Sequence, residues 1–160
     1  MRAQKTPFDI RYRVVPCTAA EVLTFHSQRK ELIPAVPGSV IALVFGIGSR
    51  EPGPVFVIGA AGLIQPKYNN TAKLGALSMN GAGFLDVTTA AGSYVAHPGT
   101  TLTGSEVNAA DAVGKSIVSG TSGNVDYTGV GGPITLVLAY RIIPVNGFKI
   151  AALTDTGRPR

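Results

Sequence analysis

Residues 31–47 read ELIPAVPGSVIALVFGI and constrain the fold more than any other stretch. A short apolar run stops at Pro34 and turns through Ala35-Val36-Pro37-Gly38. It then enters the longest apolar and β-branched segment of the chain. Proline removes a backbone donor and glycine accepts positive φ, so the pair punctuates two extended segments. A strand, a proline-glycine corner and a long buried strand fit an antiparallel sandwich or barrel. The 20 Gly and 11 Pro among 160 residues, with no Trp, also favour short strands and tight turns over long helices.

Before the corner, residues 10–15 alternate as a strand should, with Ile10, Tyr12 and Val14 on one face and Arg11, Arg13 and Val15 on the other. Pro16 is expected to end that strand. Thr18-Ala19-Ala20-Glu21 is a capping box, in which Thr18 accepts from the Glu21 amide and Glu21 reaches back. One or two helical turns to about His26 follow. After the corner, residues 49–54 read as a loop, and strands are expected at 55–58, 63–68 and, more weakly, 73–79. Phe84-Leu85-Asp86 reads as a helical turn. Two further strands fall around 93–96 and 101–107, another at 115–119, and residues 120–132 form a glycine-rich loop. Residues 134–143 alternate with apolar side chains on both faces, which predicts a central strand covered on both sides.

The expectation is therefore an all-β chain: a single jelly-roll-like antiparallel β-sandwich of eight to ten strands with one or two short helices. A flexible basic N-terminal arm (1–9) precedes the sandwich domain (10–146), and a loose C-terminal tail (147–160) follows it.

Charge and composition narrow the function classes. The chain is 45% hydrophobic and 14% charged, against ~25% charged residues in an average soluble domain. Such a chain is expected to cover part of its surface by self-association. The net charge of +5 raises nucleic acid as a partner, but Arg2, Lys5, Arg11, Arg13, Arg158 and Arg160 cluster near the two ends. The interior lacks the interleaved basic and aromatic residues of RNA-binding sheets, so no direct nucleic-acid partner is expected. The opening MRAQKTPFDIRYR is charged throughout and has no apolar core, so it does not read as a secretory signal. No membrane partner is expected either, because the longest apolar run, 40–47, is far short of the ~20 residues a spanning helix needs.

Residues that could do chemistry are few. Cys17 stands alone, which excludes an internal disulfide and a thiolate metal cluster. His26 and His97 each lack a histidine two residues away, so the His-x-His pair of metal-binding jelly rolls is missing. Gly114-Lys115-Ser116 matches the end of a phosphate-binding loop, yet Ala109 replaces its first glycine and a strand is expected where a helix should follow. The nine carboxylates are dispersed. The expectation is no enzyme, no cofactor and no metal.

Three segments together resemble a known family. They are YRVVPCTAAEVLTFHSQRKELIPAVPGSVI (12–41), AGFLDVT (82–88) and GGPITLVLAYRIIP (131–144). In this order they resemble the small jelly-roll proteins that tailed bacteriophages encode beside the major capsid protein, which act as capsid cement or decoration proteins. The similar pattern is a short helix, a proline-glycine corner entering a long strand, a mid-chain FLD turn and a closing strand ending in Tyr-Arg. Two departures stand out. The corner is one residue longer than usual, and residues 100–124 are richer in Gly, Ser and Thr.

The resemblance implies a non-enzymatic virion protein: a homotrimer on the outer capsid face at threefold and quasi-threefold positions, bridging major capsid protein subunits. Arg2, Lys5, Arg11 and Arg13 would then contact the capsid or a neighbour. An alternative is a trimeric head-fibre or tail-associated receptor- or glycan-binding module, which should expose loop aromatics such as Tyr68, Tyr94 and Tyr127.

Overall fold

The computed structural model describes residues 9–50, 53–69, 85, 92–96 and 112–145, with 92–96 described in the backbone only. The chain is all-β in class. Its strands are β1 (Arg11–Cys17), β2 (Glu31–Ile33), β3 (Ser39–Arg50), β4 (Phe56–Val57), β5 (Lys67–Tyr68), β6 (Gly92–Ala96), β7 (Ile117–Val118), β8 (Thr128–Gly129) and β9 (Ile134–Pro144). One short helix, α1 (Ala19–Leu23), and a 3-10 turn at Gly59–Ala61 complete the described elements. The expected strands at 73–79 and 101–107, the arm up to Phe8 and the tail from Asn146 lie outside the described residues.

The strands form three antiparallel sheets, ordered β1-β9-β3-β6, β2-β7-β5 and β4-β8. As expected, β9 is central, with β1 on one side and β3 on the other. Three pairings nest in reverse order, β1 with β9, β2 with β7 and β3 with β6, while β3 with β9, β4 with β8 and β5 with β7 fall outside that nesting. One core lies between the sheets. Val15, Ile41, Leu136 and Leu138 of the four-stranded sheet share it with Leu32, Ile33, Ile117 and Tyr68 of the three-stranded sheet, and with Phe56. The Tyr68 hydroxyl donates to the Ile41 carbonyl at 2.7 Å and so ties β5 to β3 across that core.

The corner that opens β3 is a tight turn. The Ser39 amide donates to Val36 O at 3.2 Å, and Gly38 has φ 64. Proline at the second position and positive φ at the third match a type II turn, which is why Pro37-Gly38 occupies it. Val145 N–H then donates to Gly38 O at 2.9 Å and Gly114 N–H to Ser39 O at 2.8 Å, so three chain segments meet here. Gly38→Ala would force a side chain into left-handed backbone at a cost of about 1–2 kcal/mol. A melting temperature lowered by a few degrees is the expected readout.

Several local expectations are corrected. Pro16 does not end β1, which runs through Pro16 to Cys17 opposite Thr135 and Ile134. Strand β1 is an edge strand, where a missing N–H is tolerated. Residues 49 and 50 belong to β3 and not to the following loop. The 120–132 segment contains β8, paired with β4. The outer face of β9 is only partly covered: Thr135, Val137, Arg141 and Ile143 are half-buried, while Ile134, Leu136 and Leu138 are buried.

Strand β3 changes face midway. Leu43 lies opposite Tyr140 and Phe45 opposite Ala139, leaving Val44 as the extra residue of a bulge. Before the bulge Ser39, Ile41 and Leu43 are buried, and after it Gly46, Gly48 and Arg50 are. Phe45 and Ile47 are thereby turned away from the core.

Candidate interaction surface

The sequence places functional weight on the basic N-terminal residues. Arg2 and Lys5 lie outside the described residues. Arg11 is exposed and Arg13 half-buried on β1, opposite Tyr140 and Leu138. Their parity is that of Val15 and Cys17, which are buried, so the arginines continue the core-side face of β1 beyond the core. The more apolar face of the strand is the one turned outward. Ile10, Tyr12 and Val14 are 40, 63 and 63% exposed.

Register places these side chains in rows across the sheet. Tyr12, Ala139 and Phe45 form one row, Val14, Val137 and Ile47 the next, Pro16, Thr135 and Ser49 a third. The Tyr12 and Phe45 rings meet with centroids 6.1 Å apart on either side of Ala139, whose small side chain is fully covered. The sequence hides this surface because both parities of β3 and β9 are apolar, and the bulge that selects one of them has no local signature.

Several of the chemical groups named from the sequence take part in packing and hydrogen bonding, while His97 lies outside the described residues. Cys17 is buried, and burial pushes its thiol up to about 11, with Lys30 pulling it down and Glu21 raising it. A thiol raised in this way is mostly protonated at neutral pH, its weakly nucleophilic form. It borders a shallow cleft of about 210 Å³ with Arg50, Pro133 and Thr135, smaller than the roughly 300 Å³ at which ligand pockets begin.

Glu21 closes the capping box on Thr18 and bonds Lys30 at 2.6 Å. That Lys30 bond, then the Thr18 amide, holds the Glu21 carboxyl below its ordinary pKa. Gly114-Lys115-Ser116 runs into β7, so no helix amides follow it. Among the described residues, no cluster of three His, Cys, Asp or Glu side chains is arranged for a metal ion. No described helix is long and apolar enough to cross a membrane. Of the three tyrosines that a receptor-binding surface would expose, Tyr68 and Tyr127 are 8 and 2% exposed. Burial raises both phenols above their ordinary pKa. Tyr94 belongs to β6, whose side chains are not described.

Asp126 latches the backbone that follows Phe25. Asp126 Oδ1 accepts the backbone N–H of His26 at 2.8 Å and of Ser27 at 2.9 Å, while Ser119 Oγ donates to Phe25 O at 3.1 Å. The turn after α1 is thereby tied to the 119–126 segment. Burial works to raise the Asp126 pKa, but hydrogen bonds from Ser27 and His26 and the nearby His26 outweigh it, so the net shift is downward. A carboxyl depressed on folding contributes stability above its unfolded pKa of ~3.9 and loses it as pH falls through the lower folded value. Asp126→Ala should cost about 1–3 kcal/mol at pH 7, nearer the low end for a half-buried site. In thermal melts the gap between wild type and variant should close below about pH 4.

No protein-family model, curated protein or solved structure matches this chain.

Proposed function

We propose that this chain is a non-enzymatic capsid cement protein of a tailed bacteriophage: a jelly-roll homotrimer that binds the outer face of the capsid at threefold and quasi-threefold positions. One observation carries the reading. The segments that resemble the cement family are far apart in sequence yet form one packed unit. Residues 12–41 and 131–144 pair directly, β1 on β9 and β9 on β3. Leu85, from the middle segment, is fully buried in the same core and accepts the Phe56 amide at 2.9 Å.

Two antiparallel sheets, β1-β9-β3-β6 and β2-β7-β5, enclosing one core with non-sequential strand neighbours support the jelly-roll part, although the pairing of β4 with β8 lies outside that pattern. The exposed Arg11 and the basic residues Arg2 and Lys5 suit an acidic capsid surface. Weak contacts repeated over a shell add by multivalency. The major capsid protein and two further copies of this chain are the partners, and the outer surface of the virion is the location.

Co-sedimentation with expanded capsids of the phage that encodes the chain tests this. Saturable binding to expanded capsids, and none to unexpanded precursors, is expected. No binding to either would overturn the reading.

A further inference from the structure

We infer that Arg11 and Arg13, side by side on the core-side face of β1, form a docking site for an extended acidic segment of another protein, one that carries carboxylates at alternate positions. That the segment belongs to the capsid protein rests on the reading above; the carboxylate site itself does not.

The site lies where the core gives out along β1. Core-side positions pass from Cys17 and Val15, 1 and 4% exposed, to a half-buried Arg13 and an exposed Arg11. Register sets Arg13 in one row with Leu138 and Gly46, and Arg11 in the next with Tyr140 and Leu43. Leu138, Gly46 and Leu43 are buried and Tyr140 is half-buried, so the two guanidinium groups stand at the margin of a covered apolar layer.

These cations lack acceptors. Among the described residues neither arginine makes an ion pair, the one salt bridge being that of Lys30 with Glu21. Lys30, Lys67 and Arg50, by contrast, donate to Glu21, to Asn124 and to the Pro54 carbonyl. Asp126 is occupied by the amides of His26 and Ser27. A half-buried guanidinium has given up part of its hydration and gains most from a carboxylate that replaces the lost water.

Spacing identifies the ligand. Residues two apart on a strand lie ~7 Å apart with their side chains on one face. An extended partner segment repeats that spacing, so carboxylates at alternate positions meet both guanidinium forks in register. Nucleic acid fits less well, because a phosphate backbone is held by a longer cationic track. Here the run ends after two residues, with Asp9 on the same parity before Arg11 and Val15 after Arg13. A pair of carboxylates matches what is present.

Arginine side-chain NMR on the full chain tests the inference with two probes, a peptide of alternating Glu and Thr and an oligothymidylate of equal length. The peptide should shift the Nε–H resonances of Arg11 and Arg13 saturably, and added salt should reverse the effect. Arg11→Ala combined with Arg13→Ala should weaken peptide binding about tenfold. Arg13→Lys keeps the charge but loses the fork, and should fall between that variant and wild type. Arg2→Ala combined with Lys5→Ala should leave peptide binding within about twofold of wild type. Circular dichroism and a cooperative melt check that each variant is folded.

Peptide binding undiminished in the folded double-alanine variant, or no shift at either arginine, would overturn the inference. Tighter capture of the oligothymidylate than of the peptide would overturn it too and give the site to nucleic acid. Co-sedimentation with expanded capsids separates this outcome from the cement reading. Capsid binding by wild type and by the double-alanine variant alike would overturn the assignment of this site to the capsid and leave the cement reading standing. A peptide bound through Arg11 and Arg13 by a chain that ignores capsids would uphold the site and end the cement reading.

Discussion

Phe25→Ala is expected to lower folding stability by about 3–5 kcal/mol, the range for removing a fully buried aromatic ring. Phe25 is completely inaccessible and belongs to the single core that all three sheets share. The cavity has little chance to collapse. The Phe25 carbonyl accepts from Ser119 Oγ at 3.1 Å, and the next two amides donate to Asp126, so the backbone on one side of the hole is fixed. Urea unfolding should show a lower midpoint with an unchanged slope, and melting should fall by on the order of 10 °C. A loss under about 1 kcal/mol would mean that the turn after α1 repacks freely, contrary to the latch described for it.

Gly131→Ala is expected to cost about 1–3 kcal/mol or more, as overpacking of a filled site does. A β-carbon at Gly131 would sit 2.0–2.2 Å from three atoms of the Phe56 ring. That ring is 1% exposed and packs at a tilt against Tyr127, with centroids 6.3 Å apart, so it has nowhere to move. By contrast, at Gly132 a β-carbon would meet nothing within 4 Å. Gly132→Ala therefore serves as the matched control and should cost less than about 1 kcal/mol, since only backbone preference changes. Equal effects at the two positions would contradict the packing of Phe56 against residue 131.

These two positions mark what the sequence reveals and what it hides. The capping box at Thr18 and Glu21, the proline-glycine corner and the central place of β9 were legible because each depends on local chemistry or on simple alternation. The glycine-rich segment 120–132 was not. Composition marks it as a loop, but Gly131 is glycine because a ring from β4 lies against it, a contact between residues 75 positions apart.

The fate of β1 was hidden for a similar reason. Alternation separates Tyr12 and Val14 from Arg11 and Arg13 correctly, yet says nothing about which set meets the core. Register with β9 decides that, and it buries Val15 and Cys17 on the arginine side. The bulge at Val44 was invisible because every residue from 40 to 45 is apolar, so either parity satisfies the pattern. Tyr68 and Tyr127 look like loop aromatics in sequence, but their hydroxyls reach the carbonyls of Ile41 and Gly62 and carry the rings inside. In each case the deciding partner is distant in sequence.

If this chain cements a capsid, thermal disruption of expanded capsids with and without it will show the effect. Saturating amounts of the full chain should raise the temperature at which the shells break and release DNA, with no shift for unexpanded precursors. Capsids that break at the same temperature with the chain bound as without it would show that it does not act as cement.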